Sequence, residues 1–419
     1  MHILIVNAFI REAVGDAALL SVMIDHTREA FPDATITVSS LNDAVTHPEF
    51  DGCTNIGSMR RYGADESVPR WRRAFRKTLV AALPLLSRLV DPTGVVRALL
   101  PAEVRRETQA IGRSDIVVSV GGGYLNGEAG LVGDLSVANM LAPLAVAHAL
   151  GKAVLCGPQS FGPFRSARQV AMVRRVLSEA DVVILRESKS LAILQDLGVP
   201  GERLVLATDS AFGFGAGRDF DWRRALDIDP GQRLVGITAR QWFDHETQEL
   251  FEKQLAYFID ELQQRGLTAV LIPQVISELA GEDDRDVNRR ILDRCQSRTG
   301  VRLVEEFDHE HAKSLYRELD YVVGMRFHSV IFALTSGVPA IAIEYHHKAS
   351  GIMADLGLSA WVISTESVMQ GGLLALFERL EPERERYLSI QEAGVADLVA
   401  RAATVPEILR AAVARPCGS

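Results

Sequence analysis

Arg326 and His328 sit two residues apart at the point where an apolar run, Tyr321 to Gly324, stops. A second apolar run, Ala340 to Tyr345, ends at His346-His347-Lys348. Arg186 follows a third such run, Val182 to Leu185. Cations and titratable rings at the carboxyl ends of strands, one of them beside a helix N-terminus, are suited to a carboxylate or phosphate. A guanidinium at Arg186 offers two parallel hydrogen bonds to such a group, and pairing with Glu187 or Asp181 on the surface is its competing role. His328 is the candidate acid or base, because an unperturbed imidazole titrates near 6.5. A helix N-terminus lowers that value and a bound phosphate raises it. Lys348 neutralises a phosphate or is a solvated loop lysine. His346 and His347 are adjacent and diverge in an extended strand, which argues against a metal pair.

The elements that must position these groups alternate. Strand-like runs at His2–Asn7, Thr35–Val38, Ile111–Val120, Ala153–Cys156, Val182–Leu185 and Leu204–Ala207 are separated by helical patterns at Gly15–Phe31, Val137–Leu150 and Ser166–Ser178. After a Gly/Phe/Asp-rich stretch, Phe212 to Asp221, the pattern restarts with strands at Leu234–Thr238, Ala269–Ile272 and Val301–Val304. From Ser329 a helix is expected, closed by Gly337 and Pro339. A chain of 419 residues with this alternation predicts an α/β protein of two Rossmann-like, doubly wound domains. The expected division is 1–215 and 216–419. Gly121-Gly122-Gly123 allows close backbone approach, but Asn126 breaks a dinucleotide fingerprint. Asp16 caps the first helix or favours its dipole. Asp283-Asp284 and Glu305-Glu306 are expected on solvated faces.

A formal charge of −9 argues against a nucleic-acid partner. Four scattered cysteines without CxxC or zinc spacing fit reduced thiols in the cytoplasm. The N-terminus lacks the basic region of a signal peptide, and no apolar run is expected to reach the roughly 20 residues of a membrane span. Residues 60–106 depart from the rest: eleven Arg and Lys face four acids. With TLVAALPLLSRLV between the charges, this insert fits a basic amphipathic helix on an anionic membrane; a lid or subunit-contact helix pair is the competing expectation.

The motifs VGGGYLNG (120–127), GPQSFGPF (157–164), LRESKS (185–190), ATDSAF (207–212) and GMRFHSVIFALTSGVPAIAIEYHHK (324–348) resemble those of the polysaccharide pyruvyl transferase family. The resemblance implies a GT-B-like fold with its site in an interdomain cleft. It implies transfer of pyruvate from phosphoenolpyruvate to two hydroxyls of a sugar, on a glycan or lipid-linked acceptor, as a cyclic ketal with release of phosphate. No cofactor and no metal is implied. By motif, His328, Arg186 and Lys348 take the catalytic positions. Arg326, Phe327, Gly121, Gly122, Gly123, Asp16 and Asp209 take substrate-binding ones. The family's Asn-x-Gly-Asp start is Ala13-Val14-Gly15-Asp16 here, so its Asn is replaced. The resemblance also implies work at the inner membrane face, on lipid-linked intermediates. A nucleotide-sugar glycosyltransferase would share fold and strand-end cations, and a non-enzymatic sugar-phosphate-binding module is a further alternative.

Overall fold

The computed structural model describes all residues except 10–12, 42–48, 65–67, 90–99, 278–282, 346–347 and 415–419. The chain forms two compact units. Unit 1 comprises Met1–Ile10, Leu19–Ser210 and Arg401–Ser419; unit 2 comprises Arg11–Ala18 and Ala211–Ala400. The C-terminal helix Val405–Ala414, placed in the second domain by sequence, therefore belongs to unit 1, where it packs against the sheet.

Unit 1 contains β1 (His2–Ala8), β2 (Thr35–Ser40), β3 (Glu49–Phe50), β4 (Cys53–Gly57), β5 (Ile116–Ser119), β6 (Gly122–Leu125), β7 (Ala153–Phe161), β8 (Val182–Leu185) and β9 (Leu204–Leu206). Their order is β3-β4-β2-β1-β5-β7-β8-β9, with β6 also paired to β7. All pairings are parallel except β3 with β4. Strands such as β5 and β8 are buried throughout, as apolar runs covered on both faces must be. The expected end of β7 at Gly157-Pro158 is not observed. The strand continues to Phe161 because its neighbour changes there: Cys156 pairs with Ser119 of β5, and Gln159 with Gly122 of β6. Pro158 thus falls at a break in the ladder, where its missing N–H costs little.

The helix Leu131–Ala149 also departs from expectation. Its 19 residues are long and apolar enough to cross a membrane by length and composition, yet half of its most apolar window is buried in the protein. It packs between the helices Arg70–Leu89 and Ala167–Glu179, which makes it a core helix of unit 1.

Unit 2 contains β10 (Arg233–Thr238), β11 (Leu267–Leu271), β12 (Val301–Leu303), β13 (Tyr321–Gly324), β14 (Ala340–Glu344) and β15 (Val362–Ser364). The order β12-β11-β10-β13-β14-β15 is wholly parallel and doubly wound. Its direction reverses between β10 and β13, the switch point at which ligands bind in open α/β sheets. In unit 1 the corresponding reversal lies between β1 and β5.

Candidate active site

In unit 2, β13 delivers the chain to the switch point. Arg326 is the N-cap of the helix Phe327–Thr335, whose apolar sequence is buried from Ser329 to Leu334. The turn is pinned to the end of β10. The Met325 N–H donates to the Thr238 carbonyl (3.1 Å), the Arg326 N–H to Thr238 Oγ1 (3.3 Å), and the Thr238 and Ser329 hydroxyls bond to each other (2.8 Å). His328 therefore occupies the first helical turn on a fixed backbone, with its ring against that of Phe327 (centroids 5.4 Å apart).

A second segment reaches His328. Residues 11–18 belong to unit 2, and the Val14 N–H donates to the Gln274 carbonyl beyond β11 (2.9 Å). Gly15 follows, pressed against the imidazole: a Cβ at this position would stand 2.0 Å from His328 Nδ1. The conspicuous glycine before Asp16 is thus needed for room at His328. Asp16 itself is partly exposed in the first turn of the helix Val14–Ala30, where its charge favours the dipole.

Arg326 is already paired. Its Nη2 and Nε donate to Asp284 Oδ1 (2.5 Å) and Oδ2 (3.0 Å). Asp284 is fully buried and also accepts the N–H groups of Gln274 and Val275, both at 3.0 Å. The expectation that Asp283-Asp284 lies on a solvated face is therefore wrong. Asp283 caps the helix Asp284–Arg294, and Asp284 locks the β11 loop to the strand end carrying His328. An isolated carboxylate does not stay buried without such partners.

Arg186 shows the same pattern in unit 1. It is buried, with Nη1 donating to Asp209 Oδ2 (2.5 Å) and Nε to Ser160 Oγ (2.6 Å). Glu187 lies 3.4 Å from Nε. Two of the sequence-predicted residues, Arg186 and Asp209, are thus brought together as an ion pair. Gly121 has a packing reason to be glycine, since a Cβ there would sit 2.1 Å from the Pro158 carbonyl oxygen. Gly122 and Gly123 open β6. Lys348 begins the helix Lys348–Asp355, but its side chain, like His346 and His347, lies outside the described residues.

Sequence reasoning missed a polar cluster at the switch point of unit 1. Asn7, in left-handed backbone (φ 63°), donates to Ser119 Oγ (3.3 Å) and the Met140 carbonyl (3.2 Å), and accepts from Arg60 Nη1 (3.0 Å). Tyr124 and Ser119 share a hydroxyl hydrogen bond (2.5 Å). Burial lowers the Arg60 pKa and pushes the Tyr124 phenol up to about 12. Nearby, buried Glu107 accepts from Ser39 Oγ (2.5 Å), Ser58 Oγ (3.2 Å) and the Met59 N–H (2.5 Å), and desolvation raises its pKa. A polar Asn at the end of the apolar run of β1 was the available sequence signal; Arg60 was hidden among the other arginines of the insert. Among the described residues no group of three His, Cys, Asp or Glu side chains is placed to hold a metal ion.

In unit 2 the arrangement presents one imidazole on a rigid turn at a helix N-terminus. S. aureus MnaA, solved with UDP, has a TM-score of 0.59 at 10% identity, covering 99% of this chain and 98% of that one. Anabaena HepE, solved with UDP-glucose, has a TM-score of 0.58 at 13% identity, covering 98% and 100%. Sucrose-phosphate synthase of Thermosynechococcus elongatus has a TM-score of 0.59 at 13% identity, covering 99% of each. At such identities the likeness is one of fold, and the fold is GT-B-like. The amylovoran biosynthesis protein AmsJ of Erwinia amylovora is 28% identical over 295 residues, 66% of this chain and 68% of AmsJ. The profile of the family described as polysaccharide pyruvyl transferase matches residues 14–347, from the glycine turn at His328 to the strand end after β14. The chain belongs to the polysaccharide pyruvyl transferase family and is an enzyme of pyruvyl transfer to polysaccharide.

Proposed function

We propose that the donor is phosphoenolpyruvate and that the product is a cyclic pyruvate ketal on two hydroxyls of one glycan sugar. The observation that carries this is His328, fixed in the first turn after β13 at the switch point of unit 2, with Gly15 closing over its ring. In the reaction the methylene carbon takes a proton and becomes the methyl group, and positive charge develops on the adjacent carbon. Two sugar oxygens bond to that carbon as its bond to the phosphate oxygen breaks. Of the two hydroxyl protons released, one balances the proton taken by carbon and the other leaves with phosphate. A positioned imidazole serves one of these transfers, an effect worth about 10²–10⁴-fold. His328 is that acid or base in this reading. Arg326 acts through Asp284, holding the loop beside His328 in unit 2. No metal or cofactor takes part.

Phosphate release from phosphoenolpyruvate, followed against a panel of glycosides, tests the reading. Thermal-shift measurements separate it from a nucleotide-sugar glycosyltransferase: phosphoenolpyruvate should stabilise the protein and UDP-sugars should not. Stabilisation by UDP-sugars alone would overturn it.

The acceptor is lipid-linked in this reading, and the protein works at the cytoplasmic face of the membrane. The helix Arg70–Leu89 supports that placement. It buries Val80 and Leu83 but leaves Trp71 (68%) and Phe75 (66%) exposed, one turn apart, with Arg70 and Arg72 exposed beside them. An exposed aromatic pair among arginines suits the interface of an anionic bilayer.

A further inference from the structure

Arg240 lies two residues beyond β10, and Tyr345 one residue beyond β14. These strands are not neighbours; β13 runs between them. At the usual spacing they are roughly 10 Å apart. Yet Arg240 Nη1 donates to Tyr345 Oη (3.0 Å), so the two loops meet across the end of β13, the strand that carries Arg326 and His328. The Arg240 guanidinium stands 4.9 Å from the Trp242 ring centroid and 5.1 Å from that of Tyr345. The two rings meet edge-on at 4.8 Å, and Trp242 remains 45% exposed.

The charge of Arg240 sets it apart. Arg326 is neutralised by Asp284 and Arg186 by Asp209. Among the described residues no carboxylate lies within ion-pair distance of Arg240, whose partners are a phenol and two ring faces. Its Nε is buried with no hydrogen-bond partner among them. A guanidinium carries five N–H donors in a fixed fork, and a buried donor left unmade is costly. Stacking on aromatic faces holds the fork in one orientation without cancelling its charge.

We propose that Arg240 is the anion-receiving guanidinium of unit 2, taking the carboxylate or phosphate of the substrate at the β10–β13 switch point beside His328. The proposal rests on the pyruvyl-transfer reading for the identity of that anion, phosphoenolpyruvate, and on the switch-point geometry for the site. The anion accepts from the free edge of the fork, while Tyr345 and Trp242 keep that edge turned to it.

Calorimetric titration of the full chain with phosphoenolpyruvate, inorganic phosphate and UDP-glucose tests it, with Arg240→Gln and Arg240→Met as parallel variants so that one serves if the other does not fold. The expected result is at least about a ten-fold loss of phosphoenolpyruvate affinity in either variant, because a charge-assisted fork is removed. The melting temperature without ligand should change little. Affinity within about two-fold of wild type in a folded variant overturns the proposal and leaves the pyruvyl-transfer reading standing. Wild-type protein that binds UDP-glucose but not phosphoenolpyruvate, with that binding lost in the variants, overturns the donor assignment and supports Arg240 as the anion site.

Discussion

Gly15 lies so close to His328 that a single added methyl group would overlap the imidazole, at 2.0 Å from Nδ1 and 2.3 Å from Cγ. The two residues are more than three hundred positions apart in the chain and belong to the same compact unit. Gly15→Ala should therefore displace the ring of His328 while leaving β13 and its helix intact. A fall in kcat of at least about ten-fold is expected, as for a misplaced catalytic group. Steady-state phosphate release checks it. Full activity in a folded Gly15→Ala protein would show that the ring has freedom this packing does not allow.

His328→Gln keeps a polar side chain of similar reach but removes the titrating ring. Loss of about 10²–10⁴ in kcat is expected, with phosphoenolpyruvate still raising the melting temperature. Near-normal turnover with a verified acceptor would remove His328 from the chemistry.

Asp284 accepts four hydrogen bonds while fully buried, two of them from Arg326. Asp284→Ala leaves a guanidinium and two backbone N–H groups without their partner. Breaking such a pair costs about 3–5 kcal/mol. Denaturant unfolding should show that loss, and a cost under about 1 kcal/mol would mean water replaces the carboxylate.

Burial pushes the His26 imidazole down to about 4, against 6.5 for an unperturbed ring. His26 sits in the helix Val14–Ala30, almost wholly buried. The unfolded chain takes up its proton near pH 6.5 and the folded chain only near pH 4, so the unfolded state binds more protons between those values. Stability contributed above pH 6.5 is then lost as pH falls toward 4, by on the order of 2–3 kcal/mol. His26→Leu should flatten melting temperature against pH across this window. An equally steep fall in that variant would place the acid sensitivity elsewhere.

Trp71 and Phe75 should govern membrane contact. Flotation with anionic vesicles is expected to recover wild-type protein and to recover markedly less of Trp71→Ala/Phe75→Ala, with high salt weakening both. Absence of flotation at low salt would leave the helix without that role.

The strands were legible because apolar runs such as Val182–Leu185 and Tyr321–Gly324 are buried on both faces and leave a clear trace. The cationic residues at their ends were legible for the same reason. Their electrostatic state was not. Arg326 meets a carboxylate 42 residues away and Arg186 one 23 residues away, and such pairings follow from strand order, which no local pattern encodes. Asp284 shows the converse. Beside Asp283 and Arg285 it has the composition of a solvated turn, yet it is buried because the β11 loop brings it to Arg326. Arg240 follows the legible run Leu234–Thr238, but its partner does not show locally: only the crossing from the end of β10 to Tyr345 beyond β14 sets it at the site.

The patchwork of chain segments in the two units limits how this enzyme can be divided. Residues 211–400 expressed alone would lack the stretch 11–18, and with it both the Val14 bond to Gln274 and the glycine that covers His328. Residues 1–210 alone would lack the terminal helix Val405–Ala414. Joining the chain ends would return residues 401–419 to the 1–210 segment, but the stretch 11–18 stays inside that segment, so a separated unit 2 needs it supplied as an added piece to cover His328.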